Sequence, residues 1–587
     1  MRYNFNFGLN IAKKDVLTIV LLSLVFFSMA VTNLGATQVP SNSLTVNSDT
    51  TQVAIIDLGH PDYVSSICFY IRDCKTSSTI KIYTSQYDDV WFECAAIVAS
   101  YPFAYMNWNN TYVYQVVQYI RLEFEAPSNI EINEVAILNG DNQVIPVFSV
   151  NSENSTTSSL DFNLLFDEQS LVVLPNTYMT ETMFDEVYFT RTSEQYLNLQ
   201  WPYEWTHPPF GKLVISTGIA AFGLNPFGWR IMGVIFGTLM IPLIFLLGKK
   251  MFGSYIGGFS AAFLLTFDFM HFSEARLGIT DTYVVFFSLL SHLCFFIYFS
   301  NVIKKGWQNA SVVPLLFSFV FFALGFSTKW LVLFGFLGEL AILVMLRLSE
   351  VMRCNNSFSD KLYDLFDYRY LYLLVFIFVA IGVYFITYIP DVLAGRPISS
   401  LVELQNSMYA YHADPIGLDH PYSSPTWSWP IIMRPLWLYF STLSGGMRST
   451  ISLFGNPAVW WVGFVAILAL TGFCLFRVVV YIRKRFMQKI ELSVVFLSVV
   501  FFAQWLPYFF VSRGLFIYHY YVNVPILCLG STYFISKYWK YTWMKLAALI
   551  YFIAVVALFV LFYPVISGMP VLTVTAESLR WFTQWVF

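Results

Sequence analysis

From residue 227 to 565 the chain runs through one apolar stretch after another, each close to the roughly 20 residues that an α-helix needs to cross a bilayer. Such stretches are confined to helices, because lipid offers the backbone no hydrogen-bond partner. Spans are expected near 227–248, 254–272, 280–300, 311–328, 330–347, 370–390, 456–476, 491–511, 516–536 and 544–565. With an earlier segment at 16–35, the expectation is about eleven transmembrane helices. Hydrophobic residues make up 57% of the chain and charged residues only 12%, whereas soluble domains are about 25% charged. A soluble protein is excluded. The net charge of −3 also gives no reason to expect a nucleic acid partner.

Basic residues orient the spans. Lys249, Lys250, Lys304, Lys305, Arg347, Arg369, Arg477, Lys537 and Lys540 fall in alternate connections, which the positive-inside bias assigns to the cytoplasm. Residues 1–35, with Arg2, Lys13 and Lys14 before the apolar run, read as a first spanning helix with a cytoplasmic N-terminus. A cleaved signal peptide is the other reading of the same flank. The outer side then receives 36–226, a second large loop at 391–455 and a tail at 566–587, separated by spans in 227–390 and 456–565. The apolar stretch 212–224 is too short to cross and is expected to lie along the outer surface.

Residues 36–165 are rich in Ser, Thr, Asn and Asp, with short alternating runs such as TQVAIIDLG, TIKIYTS, QYIRLEFEA and IEINEVAIL. Period-two alternation between turn residues predicts antiparallel strands. The order of these pieces resembles a discoidin-type β-sandwich, a fold that often binds surface ligands such as carbohydrate. Cys68, Cys74 and Cys94 leave room for one disulfide, and no CxxC or His-rich spacing suggests zinc. Asn-x-Ser/Thr triplets at Asn109 and Asn154 occur at chance frequency.

Chemistry-bearing residues concentrate in three places. The first is 166–226, which holds FDEVYF and YEWTHPPFGK and so places Asp185, Glu186, Glu204 and His207 just before the helix bundle. Asp185 and Glu186 also suit a solvated helix start. Pro208 and Pro209 hold His207 in an extended turn. The second is FSEARLGITDTY with Arg276 and Asp281, ionisable groups that are costly in lipid and therefore mark a protein-lined cavity or the interface. Lys329 and Arg513 lie at other outer helix ends, so three cations are candidates for a phosphate. The third is the 391–455 loop, with His412, Asp419 and Trp427 among prolines that rule out a span. It reads as a lid or acceptor-side wall, although Trp427 also suits an interfacial belt.

Together FDEVYF, THPPFGK, NPFGWR, ARLGITDTY, TKW, HPYSSPTWSWPIIMRP, GNPAVWW and QWLPYFFVSRGLFIYHYY resemble protein O-mannosyltransferases of the GT-C superfamily, most closely the bacterial and archaeal members. The resemblance runs from about 168 to 565 and leaves the β-rich insert outside. It implies an all-α polytopic membrane fold with an inserted β domain. It also implies transfer of mannose from a polyprenyl-phosphate mannose donor to Ser or Thr of secreted proteins, with inversion, in a prokaryotic cell membrane.

Under this resemblance Asp185 and Glu186 are the acidic pair, His207 belongs to the HPP turn and Arg276 is the helix-end arginine. Glu204, His207, Asp281, His412, Trp427 and His519 are expected to meet substrates. Many relatives carry Asp two residues before the HPP histidine, where this chain has Trp205 with Glu204 beside it. An inverting displacement needs one base, for which Asp185 is the expectation, with Glu186 orienting the loop or the sugar and the two acids able to exchange roles. Arg276, Lys329 and Arg513 would stabilise the leaving phosphate, so neither a metal nor another cofactor is expected. Dimers occur among relatives. The alternatives are a related transferase with a lipid or polysaccharide acceptor, and a transporter or receptor carrying a carbohydrate-binding domain.

Overall fold

The computed structural model describes residues 11–153, 161–353, 369–415, 420–484 and 491–587. Asn154 and Asp419 lie outside these residues.

The helices are α1 (Lys13–Val31), α2 (Glu186–Leu197), α3 (Phe210–Phe222), α4 (Pro226–Phe252), α5 (Tyr255–Thr266), α6 (Phe269–Ala275), α7 (Asp281–Lys305), α8 (Val313–Phe326) and α9 (Val332–Arg353). Further along come Tyr370–Ile386, Leu401–Ala413, Pro457–Lys484, Leu492–Trp505, Val524–Tyr538 and Thr542–Ser567. Among the described residues 7 helices are long and apolar enough to cross a membrane, and α5 with α6, bent by 61°, make an eighth candidate. The protein is therefore an integral, multi-pass membrane protein. The segment expected at 516–536 begins as a 3-10 helix, Ile517–Asn523, before it becomes α-helical.

The α5–α6 bend has a visible cause. Asp268 is fully buried and accepts hydrogen bonds from the His271 amide (3.1 Å), which starts α6, and from the Asn456 amide (3.2 Å) and the Trp460 indole (3.0 Å). A buried carboxylate held by three donors from two segments fixes the break in place. The bend carries Glu274 and Arg276 toward the same end of the bundle as the start of α7.

The polar insert forms β1 (Leu44–Ser48), β2 (Gln52–Cys74), β3 (Ser78–Ser85), β4 (Phe92–Ala99), β5 (Asn107–Phe124), β6 (Ser128–Leu138) and β7 (Ser149–Ser152). The strands are antiparallel, as the alternation predicts, but they make one sheet of 7 strands in the order β1-β6-β2-β5-β3-β4, with β7 on β2. Register shifts at Asp57/Asp62 and Val64/Ser66 bend the long β2, so a single sheet curls around its own core. No disulfide forms: Cys68, Cys74 and Cys94 are free, with the Cys74 thiol directed at the carbonyls of Ala99 and Ala104. Glu134, Asp167 and Glu168 cluster at metal-ligand spacing, but they already accept hydrogen bonds from Val135, Asn42 and Ser41.

Both faces of β2 are buried. Ile67, Phe69 and Ile71 belong to the core of the insert, whereas Cys68 and Tyr70 join the core of the helical body. The sheet is thus clamped to α2 and the loop before it. Asp73 pairs with Arg191 (2.6 Å), Arg72 pairs with Glu194, and Asn107 accepts from the Thr182 amide (3.1 Å) and hydroxyl (2.9 Å).

Candidate functional site

The site begins at a tight turn before α2. Phe184 has φ of +52°, a left-handed conformation that costs a bulky residue about 1–2 kcal/mol and is kept where packing enforces it. Its ring lies edge-on to Tyr518, 6.3 Å between centroids. The turn delivers Asp185 to the N-cap of α2 and Glu186 to its first helical position.

These adjacent acids have opposite surroundings. Glu186 is 0% exposed and pairs with Arg230 through two hydrogen bonds of 2.7 Å. It also accepts the amides of Met183 (3.0 Å) and Gly278 (2.8 Å) and the indole of Trp229 (3.3 Å). Gly278 is required for this approach, because a Cβ there would stand 2.7 Å from Trp229 and 3.4 Å from the carboxylate. With its lone pairs engaged, Glu186 is an anchor for the turn and has no capacity left for the base role that sequence reasoning allowed either acid. Asp185 is half-buried and caps nothing with its side chain. Burial pushes its carboxyl up to about 6; Lys329 pulls it down, and Asp281 and Glu204 push it up.

Lys329 and Asp281 form an ion pair of 2.6 Å beside Asp185. Lys329 follows α8, Asp281 opens α7, and the ammonium stands 5.5 Å from the Tyr518 ring and 5.9 Å from that of Phe189. Glu274, not singled out from sequence as a site residue, is fully buried, and neither carboxylate oxygen has a hydrogen-bond partner among the described residues.

The HPP turn forms the opposite wall. Glu204 accepts the His207 amide (3.1 Å), the His207 Nδ1–H (3.0 Å), the Lys212 ammonium (2.6 Å) and the Thr206 hydroxyl. Glu204 therefore takes up the anchoring that Trp205, stacked edge-on to Tyr411, cannot supply. With Nδ1 committed to Glu204, the Nε2 of His207 carries the lone pair in the neutral ring. Burial holds this histidine below its ordinary value against the opposing charge of Glu204. Gly211 brings the turn against the helix ends, since a Cβ there would meet Thr280 at 2.6 Å and Thr328 at 2.7 Å, the neighbours of Asp281 and Lys329.

His412 links this wall to Arg513. Its Nε2–H donates to the Thr206 carbonyl (2.8 Å) and its Nδ1 accepts from the Arg513 guanidinium (2.9 Å). Burial and the nearby His207 bring His412 down to about 4, so it is neutral at physiological pH.

The structure brings together Asp185, Lys329, Asp281, Glu204, His207, His412 and Arg513, with His519 at the edge, where its ring stacks on Tyr518 at 4.4 Å. Two expected residues stand apart. Arg276 donates to the carbonyls of Ala30 (2.7 Å), Thr32 (2.6 Å), Asn33 (2.8 Å) and Ser567 (3.2 Å), a staple between the ends of α1 and the last long helix. Four of its five N–H donors are thus engaged by helix-end carbonyls. Trp427 is 53% exposed and takes part in none of these contacts. Sequence reasoning quoted NPFGWR without singling out Arg230; a cation at the start of a spanning helix was the available signal.

Comparison with known proteins agrees with this architecture. Residues 220–393 match the family described as dolichyl-phosphate-mannose-protein mannosyltransferase. Residues 397–585 match the C-terminal four-transmembrane region of protein O-mannosyltransferase. The polyprenol-phosphate-mannose–protein mannosyltransferase of Mycobacterium tuberculosis strain H37Rv is 24% identical over 444 residues, 65% of this chain and 80% of that protein. The enzyme of the same name from Corynebacterium glutamicum is 26% identical over 440 residues, 65% of this chain and 81% of that one. In structure the chain is similar to one from the S. cerevisiae protein O-mannosyltransferase complex bound to the sugar donor, with a TM-score of 0.56 and 13% identity over 69% of this chain and 89% of that chain.

Proposed function

The chain belongs to the protein O-mannosyltransferase family, and from that premise we propose that it transfers mannose from a polyprenyl-phosphate carrier to Ser or Thr hydroxyls of protein acceptors, with inversion and with Asp185 as the base. The observation that carries this reading is the asymmetry of the acidic pair: Glu186 is locked, while the Asp185 side chain has no hydrogen-bond partner among the described residues and stands beside Lys329, Asp281 and Glu204.

In the proposed step the acceptor oxygen forms a bond to the anomeric carbon as the bond from that carbon to the phosphate oxygen breaks. The hydroxyl proton passes to Asp185, and the bond electrons leave with polyprenyl phosphate. A phosphate ester is already a good leaving group, so charge stabilisation at its oxygens suffices. Lys329 and Arg513 would supply it. Asp281 holds the Lys329 ammonium in position through their 2.6 Å pair, and the His207 Nε2 lone pair is available to a sugar hydroxyl.

The isoprenoid tail would lie against the helices, in contact with membrane lipid. The site would face the outer side of a prokaryotic cell membrane, consistent with the distribution of basic residues. The test is transfer from labelled polyprenyl-phosphate mannose to a Ser/Thr-rich polypeptide by membranes containing the protein. Label in lipid or polysaccharide but not polypeptide would identify a different acceptor class. Undiminished transfer by Asp185→Asn at equal protein level would remove Asp185 from the mechanism.

A further inference from the structure

The loop between β4 and β5 carries two exposed rings, Tyr101 at 40% and Phe103 at 58%. They continue into the catalytic loop. Tyr101 meets Tyr203 edge-on at 5.8 Å, Tyr203 stacks on Tyr188 at 6.2 Å with 9° between planes, and Tyr188 meets Phe103 at 6.5 Å. Beneath them Arg191 lies under Tyr101 (5.4 Å) and Tyr203 (5.1 Å) and is tied to Asp73 and the Pro102 carbonyl. The shelf is therefore built, and it is backed by a half-buried ion pair in which only Arg191 is fully enclosed, unlike scattered surface aromatics. It also leads to the base. Tyr188 follows Asp185 by three residues, one turn along the same helix face.

We propose that this shelf docks an extended, proline-containing stretch of the acceptor polypeptide flanking the hydroxyl to be glycosylated, so that the β insert acts as an acceptor-binding module. The inference rests on the mannosyl-transfer reading, which requires a polypeptide to reach Asp185. The row of rings runs from Tyr101 and Phe103 to Tyr188, which stands near Asp185, so a chain lying along it leads to the base. Aromatic shelves hold polyproline-type segments at little entropic cost, because such segments are already extended. The insert brings half of the shelf, which gives it a reason to be clamped rigidly to α2 through Asp73–Arg191 and Arg72–Glu194.

Two measurements on the full-length protein separate this inference from its premise. The first is binding of a fluorescent proline-containing peptide, with its acceptor Ser replaced by Ala, followed by anisotropy without turnover. Phe103→Ala is expected to weaken binding about fivefold, as loss of one aromatic contact implies, and Phe103→Tyr to restore it. Equal binding to wild type and Phe103→Ala overturns the proposal. The second is mannose transfer to a short and a proline-extended acceptor. The wild type should show a lower KM for the longer peptide, and Phe103→Ala should lose that advantage. An advantage that persists, or a rise in donor KM instead, overturns the proposal; the latter would make the shelf a lipid contact. No transfer by the wild type to either peptide defeats the mannosyl-transfer reading, while the anisotropy result still decides the shelf.

Discussion

Glu186 and Arg230 meet through two hydrogen bonds of 2.7 Å with neither side chain exposed to solvent. Removing either partner leaves a buried charge uncompensated. Arg230→Ala is expected to destabilise the fold by about 3–5 kcal/mol, and Arg230→Lys to recover only part because it cannot bond at both oxygens. Thermal unfolding in detergent measures both, and an unchanged midpoint for Arg230→Ala would contradict the anchoring role of this pair.

Among the described residues Asp185 has no such partner, so its substitution should spare stability and remove chemistry. Asp185→Asn is expected to lower kcat by a factor on the order of 10²–10⁴ while the unfolding midpoint stays close to wild type. Only the ionised carboxylate accepts a proton. With Asp185 raised to about 6, wild-type activity should climb through that pH and level off above it. A rate that stays flat well below pH 6 would exclude Asp185 as the base.

Lys329 lowers the proton affinity of Asp185 and is also a proposed phosphate ligand. Lys329→Gln removes the cation, so the carboxyl should move higher and the midpoint of the pH–activity profile should shift alkaline. Donor KM should rise at the same time. A lower kcat with neither change would mean that Lys329 only supports the fold.

Burial acts to raise Glu204, but Lys212 and His207 outweigh it and hold the carboxyl below the usual range. A depressed carboxylate contributes stability that is complete above its unfolded value, near 4.3, and disappears as pH falls toward the folded value. The stability gap between wild type and Glu204→Gln should accordingly be widest near neutrality and narrow below about pH 4. Denaturation followed at several pH values would reveal the gap, and a constant gap would argue against ionised Glu204 as the hub of the HPP turn.

Arg276 separates two roles by one comparison. If its work is the four carbonyls at the ends of α1 and the last long helix, Arg276→Lys lowers the unfolding midpoint and leaves donor KM near wild type. A large rise in donor KM at an unchanged midpoint would return Arg276 to the phosphate.

Much of the site was legible because its parts are local. FDEVYF and THPPFGK put Asp185, Glu186, Glu204 and His207 within a short span, and prolines and acids reveal a turn and a helix start without tertiary information. The β strands were equally readable from alternation. That the strands are hydrogen-bonded as one sheet curled over its core depends on bulges in β2, which alternation does not encode.

What the sequence determined by itself was the solvent and the helices: apolar runs of bilayer length must satisfy their backbone internally, and that requirement follows from composition and length alone. What only the tertiary structure decided was the division of labour between two neighbouring acids. Asp185 and Glu186 carry the same chemistry one residue apart, yet successive residues on a helix point about 100° away from each other. One therefore turns inward to Arg230, Trp229 and Gly278, and the other toward Lys329 and Asp281. Those partners come from distant parts of the chain, and only packing brings them to one side or the other.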